Sequence, residues 1–167
     1  MASNGTKFVV AVFGLLAAYF VYVWWFSPTR AVKRQLGRIA ATLSVPPSEA
    51  EIARAARIAQ LRSYLAPDVH LTLGKGDVDI PSRDALLAAI AAMRPPATGW
   101  DVQFVDVQIT VDSEVEARAF MTVEVRSEDP ASGERSLDAR EARVTLRNQD
   151  GEWIVTTAES PQPMTRP

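Results

Sequence analysis

No cysteine occurs among the 167 residues. Its absence excludes disulfides, thiolate nucleophiles, cysteine zinc sites, iron–sulfur clusters and lipoprotein acylation together. Histidine is almost as scarce, since His70 is the only one, and a single imidazole without an identifiable partner is a weak catalytic signal. Gly74-Lys75-Gly76 is too short for a phosphate loop, and Asp77-x-Asp79 lacks the glycine and terminal glutamate of a calcium loop, so both read as turns. No internal repeat is evident. No basic cluster is interleaved with exposed aromatics, which argues against nucleic acid as a partner. We therefore expect no cofactor and no metal.

One long apolar run is present. Residues 8–26, FVVAVFGLLAAYFVYVWWF, are 19 uncharged side chains. At about 1.5 Å per residue, a helix of that length spans roughly 28 Å, close to the hydrocarbon thickness of a bilayer. The run is longer than the apolar core of a secretory signal, ends in Trp24, Trp25 and Phe26, and is not followed by small residues of a cleavage site. A buried soluble helix usually has a polar face, and this run has none. It reads as a retained single transmembrane helix. Gly14, Ala17 and Ala18 would allow close backbone approach by neighbouring helices, while Phe13, Tyr19, Tyr22, Trp24 and Trp25 offer large side chains to partners or to the interface.

Charge orients the span. Lys7 and the α-amino group precede it, whereas Arg30, Lys33, Arg34 and Arg38 follow it. Basic residues are held on the cytoplasmic side, so a cell inner-membrane protein with a cytoplasmic C-terminal domain is expected, a periplasmic domain being the alternative. Through Arg62 the chain has eight basic and two acidic residues; from Ser63 onward it has ten basic and 18 acidic. Arg30, Lys33, Arg34 and Arg38 beside the bilayer suit anionic lipid head groups at about 1 kcal/mol each.

The remaining 141 residues are enough for one domain. Val32, Leu36, Ile39 and Leu43 form one apolar stripe of an amphipathic helix opened by Ser27-Pro28. Val45-Pro46-Pro47 ends it, and Ser48-x-x-Glu51 has the pattern of a capping box for a second, alanine-rich helix from Glu49 to Leu65. A short strand, His70–Leu73, precedes a third helix opened by Pro81-Ser82, whose buried face is Leu86, Leu87, Ile90 and Met93. Alternating strands follow. Val105, Val107, Ile109 and Val111 are out of phase with Val102 and Phe104, which predicts a bulge near Phe104. Val115 to Val125 alternate without a break, and Asn148-Gln149-Asp150-Gly151 turns into a last strand beginning at Trp153. The predicted organisation is a flank 1–7, a span 8–26, a juxtamembrane basic helix 27–47, a domain 48–160 and a proline-rich tail 161–167. The predicted fold is α+β: after the transmembrane helix, a cone of three helices packed on a curved, mostly antiparallel sheet.

That order, with Leu65-Ala66-Pro67-Asp68-Val69, Ile80-Pro81-Ser82-Arg83-Asp84-Ala85-Leu86 and Asp150-Gly151-Glu152-Trp153-Ile154-Val155, resembles the nuclear transport factor 2-like superfamily. The superfamily includes polyketide cyclase and ketosteroid isomerase-like domains, and the likeness covers about residues 30–160. It implies a pocket between sheet and helices, a surface for dimer or heteromeric docking on the outside of the sheet, and varied functions. The isomerase pattern after Pro67-Asp68 puts the usual general base near Thr72 or Leu73, neither of which titrates. His70, with Asp68 or Asp106 as partner, is the candidate that remains, against the plainer reading of an exposed strand histidine. Tyr64, Trp100, Phe104, Phe120 and Trp153 are candidates for lining the pocket or for plain core packing. Arg140, Arg143 and Arg147 would pair across strands with Glu116 and Glu124.

The leading expectation is a non-enzymatic, single-pass accessory or scaffolding subunit of a larger membrane complex, a respiratory or photosynthetic assembly being a natural host. One alternative is an anchored enzyme or carrier that binds a hydrophobic small molecule taken from the bilayer; another is an exported interaction module of an assembly or secretion system. If residues 8–26 are a retained span, the full chain stays in the membrane pellet after alkaline carbonate washing. Release into the supernatant would show that the run does not anchor the chain.

Overall fold

The computed structural model describes residues 13–16, 27–74 and 78–160. Of the apolar run, only residues 13–16 fall in this set; they are helical, with Phe13, Leu15 and Leu16 exposed. Among the described residues no helix is long and apolar enough to cross a membrane. Ala17, Ala18, Tyr19, Tyr22, Trp24 and Trp25 lie outside the described residues, as does the tail 161–167.

Among the described residues, three helices and six strands make up the domain. Helix α1 spans Pro28–Leu43, α2 Glu51–Tyr64 and α3 Arg83–Ala92; the strands are β1 Leu65–Leu73, β2 Val78–Ile80, β3 Trp100–Val111, β4 Glu116–Glu128, β5 Arg135–Gln149 and β6 Glu152–Ser160. They form one sheet in the order β2-β1-β6-β5-β4-β3, in which β1 and β6 are parallel and the other neighbours antiparallel. The fold is thus α+β with a mixed sheet; the antiparallel pairs from β3 to β6 were legible as a meander, whereas the antiparallel β1–β2 pair was not. The parallel β1–β6 pair joins segments far apart in sequence and leaves no local signal.

The α1 stripe packs as its periodicity predicts. Val32, Leu36 and Ile39 are 0%, 2% and 7% exposed and join Met121, Ala117, Ala119, Leu146, Trp153 and Val155 in the core. Burying each large side chain contributes about 2 kcal/mol. On the far side, Lys33, Arg34 and Arg38 are exposed, while Arg30 is half-buried. Pairing of Ala117 with Leu146, Ala119 with Val144 and Met121 with Ala142 puts the predicted apolar face of β4 on the concave side of the sheet. Bulges bend the strands around the helices. On β3 the extra residue lies between Val105 and Gln108, two or three positions beyond the expected site near Phe104, and Asp106 there adopts a φ of 53°. Aspartate tolerates this left-handed conformation better than the flanking valines would.

Two expectations about the helices are corrected. The Ser48–Glu51 capping box does not form: Ser48 has a φ of 54°, its N–H donates to the Ala97 carbonyl at 3.0 Å, and α2 begins only at Glu51. Glu49 turns inward instead and takes a bidentate pair from Arg57, at 2.8 and 3.0 Å, with the carboxylate side chain 5% exposed. In α3, Ser82 accepts from the Ala85 N–H and caps the helix, and Leu87 is buried, but Met93 follows the helix and is 53% exposed. Strand β1 also begins earlier than expected, at Leu65, because pairing with Val155 of β6 extends it past Pro67.

A clamp closes the helical end of the sheet. Val45 and Trp100 exchange backbone hydrogen bonds of 2.8 and 3.0 Å, the Trp100 indole donates to the Leu43 carbonyl at 2.8 Å, and Ser44 Oγ accepts from the Val102 N–H at 2.9 Å. The approach is so close that a Cβ on Gly99, whose φ is 71°, would stand 2.1 Å from the Val45 carbonyl oxygen.

The hydrogen bond from Arg57 holds the Glu49 carboxyl below its ordinary 4.5, with burial opposing the shift. A depressed carboxyl stabilises the fold above its unfolded value, and that contribution is lost as pH falls through the folded one. Urea unfolding of Glu49→Gln should therefore lose less stability than the natural chain between about pH 5 and pH 3. Equal losses in both proteins would show that the pair does not couple protonation to folding.

Candidate functional site

Burial along β5 shows where the interior opens. Leu146 is fully buried, Val144 and Ala142 are half-buried, and Arg140 and Asp138, on the same face, are exposed. Between these extremes lies a cavity of about 310 Å³. Its roof is Leu36, Ile39 and Leu43 of α1, Leu61 of α2, and Leu86 and Ile90 of α3. Its floor is the concave sheet, with Phe104, Met121, Val123 and Val144 across the middle and Leu71, Val155 and Ala158 toward β1. The volume sits at the low end of the range of about 300–1,000 Å³ for small-molecule sites and equals about ten water-sized volumes.

Polar groups are confined to the rim. Asp138, Arg140, Glu159 and Ser160 border the opening, and the rest of the lining is apolar. Arg140 Nε donates to both oxygens of Asp138 at 3.0 and 3.3 Å. Glu159 stands opposite Arg143 and Thr72 in the sheet register, on the parity that faces away from the cavity. Among the described residues, no side chain in the interior of the cavity can take or give a proton. An apolar molecule can be desolvated there, but the wall offers no general acid or base to act on it.

His70 is not at this site. Leu71 and Leu73 line the cavity and His70 has the opposite parity, so its imidazole lies on the outer face. Its partner is neither Asp68 nor Asp106 but Asp79 of β2, with Nε2 to Oδ1 at 2.7 Å and both side chains about half exposed. The Asp77-x-Asp79 segment was read as a turn, yet Asp79 belongs to β2 and pairs with Thr72. Among the described residues no group of histidine, aspartate and glutamate could hold a metal.

Of the five candidate aromatics, Phe104 alone lines the cavity. Trp153 is in the core at 4% exposure, Trp100 belongs to the α1–β3 clamp, and the Tyr64 hydroxyl accepts from Gln60 at 2.8 Å. Phe120 is on the outer face beneath Arg143, whose guanidinium carbon is 5.9 Å from the ring centroid. Of the three arginines of β5, Arg147 stands opposite Glu116 in the register, as expected, but the ion pairs of Arg147 and Arg140 go to other partners. Arg140 pairs with Asp138 on the concave face, Arg147 reaches Asp68 at 3.5 Å, and Glu124 pairs with Arg126 of its own strand. The Asp138–Arg140 pair was missed because spacing of two on a strand puts residues on one face without saying which face is concave. Removing the outer-face pair by His70→Ala should change stability by less than about 1 kcal/mol in urea denaturation. A larger loss would mean that the pair helps to hold β2 on the sheet.

No protein-family model matches the chain, and no curated protein matches its sequence. Solved structures do match. A nuclear transport factor 2-like protein with a cystatin-like fold from Novosphingobium aromaticivorans superposes with a TM-score of 0.67 at 16% identity, over 90% of each chain. A protein of the same organism carrying the provisional name scytalone dehydratase gives 0.61 at 17% identity, over 79% of this chain and 81% of that one. A protein from Catenulispora acidiphila, solved in complex with S-DNPA, gives 0.59 at 14% identity, over 79% and 92%. At these identities the likeness concerns architecture, and it agrees with the strand order and the helix-roofed sheet: this chain has the nuclear transport factor 2-like, cystatin-like fold.

Proposed function

We propose that the chain is a membrane-tethered, non-catalytic protein whose domain holds a hydrophobic small molecule in its cone. The observation that carries this reading is the 310 Å³ apolar cavity with charge only at its rim. A filled interior would have favoured a pure scaffold. Because the space is open and its wall bears no group for proton transfer, the binding reading moves ahead of the scaffolding one. The apolar run 8–26 supports the tether, and the excess of basic residues after it favours a cytoplasmic domain on the inner membrane.

The cavity meets only Leu36, Ile39 and Leu43 of α1, in the C-terminal two-thirds of the helix, and its rim lies on the Asp138–Arg140 side. The run joins α1 at the other end, at Ser27, about 13 Å of helix before Leu36 and about 24 Å before Leu43. That separation argues for exchange with the aqueous phase or a partner protein rather than sideways entry from lipid.

A second reading, the accessory subunit of a membrane complex, is favoured by a different feature. Only Leu61 of α2 and Leu87 of α3 are fully buried, while Ile52 is 86% exposed beside several exposed alanines. Arg54 of α2 donates to the Ala91 and Met93 carbonyls at the end of α3, at 2.5 and 2.6 Å, and so links the two helices. The exposed basic residues of α1 suit lipid head groups in either reading.

Native mass spectrometry of the full chain, extracted in mild detergent, tests both. A bound small apolar molecule on the monomer supports the binding reading, and its loss in Met121→Trp, which fills the cavity, would assign it to the cone. A stable assembly with other membrane proteins and no small molecule would instead establish the accessory role.

A further inference from the structure

We infer that the cavity selects an amphiphile with an anionic head, and that Arg140 is the residue that reads it. The inference rests on the binding reading above and adds the chemical class of the ligand. A cavity walled by hydrocarbon accepts any apolar body of suitable size, so selectivity must come from the few polar atoms that the body's far end can reach. Those atoms are at the rim. Arg140 is on the concave face, in line with Ala142 and Val144 of the cavity floor, and opposite Val123 of β4, so hydrocarbon flanks its stem.

The way Arg140 is paired leaves it able to bind more. Asp138 occupies only its Nε, and among the described residues the two terminal nitrogens bond nothing. Those two nitrogens form the planar fork that a carboxylate fits bidentately. Asp138 ties the guanidinium to the rim through Nε and leaves the terminal nitrogens to a ligand. Of the other rim groups, Glu159 pairs in register with Arg143 on the opposite parity, and Ser160 Oγ donates to the Glu141 carbonyl at 3.0 Å. Arg140 is therefore the cation positioned to meet a head group whose tail lies under α1 and α3.

The test uses the full chain in phosphatidylcholine nanodiscs, with empty nanodiscs as the blank. Calorimetric titrations are made with 4-butylbenzoate, 4-butylbenzyl alcohol and 4-butylbenzylamine, which share one apolar body and differ in head charge. The carboxylate should bind about tenfold more tightly than the alcohol, and the amine no better than the alcohol. Arg140→Gln should bring the carboxylate down to the alcohol while leaving the alcohol unchanged. Asp138→Asn, which frees the guanidinium, should strengthen the carboxylate by about threefold. Equal binding of all three probes, or preference for the amine, would overturn the head-group assignment while leaving the cavity as a binding site. No binding of any probe would overturn the assignment together with the binding reading. Both substituted side chains are 59% exposed, so loss of fold does not confound the comparison.

Discussion

Among the described residues, a six-stranded sheet with one apolar face has three helices to cover it, and the rest of the structure follows from how they share that face. Burial drives α1 onto the middle of the concave face, where Val32, Leu36 and Ile39 lose nearly all contact with solvent. The stripe is one helix wide, so it cannot seal a bent sheet along its whole length. Toward Leu146 the gap closes and the core is dense; toward Asp138 it stays open and becomes the cavity. Core and cavity are one space, filled at one end.

The two helices that roof the open end are attached differently from α1. Each contributes a single fully buried side chain. What fixes α2 is the enclosed Glu49–Arg57 pair, and what fixes α3 to α2 is the grip of Arg54 on the last carbonyls of α3. Charged hydrogen bonds of this kind define position without adding much buried hydrocarbon, so local opening costs less there than at α1.

Much of this was legible in the residues. The α1 stripe, the alternation of β4, the start of α3 after Pro81 and the final hairpin all depend on contacts within one element or one turn, where period and helix-start chemistry leave a direct trace. The capping box misled because Ser48 is used otherwise: the Val45–Trp100 clamp and the bond to Ala97 draw the chain into a left-handed step before a helix can start. The parity of His70 against Leu71 and Leu73 was readable, but the side of the sheet to which each parity belongs was not. For the same reason four of five aromatics lie away from the cavity, and Arg140 looked like one more surface arginine.

From the sequence alone came the apolar run with its basic flank, the kind and order of most elements, the scarcity of catalytic groups, and the expectation of a nuclear transport factor 2-like domain fold, the part of the fold reading that the superpositions support. These are properties of local pattern and composition, and they survive without knowledge of any long-range contact. Tertiary structure alone decided that β1 runs parallel beside β6, that the cone is open rather than filled, that His70 looks outward to Asp79, and that Asp138 and Arg140 stand at the mouth. Each depends on which face of a strand meets the helices, and curvature and packing across distant segments set that face, not the alternation within the strand itself.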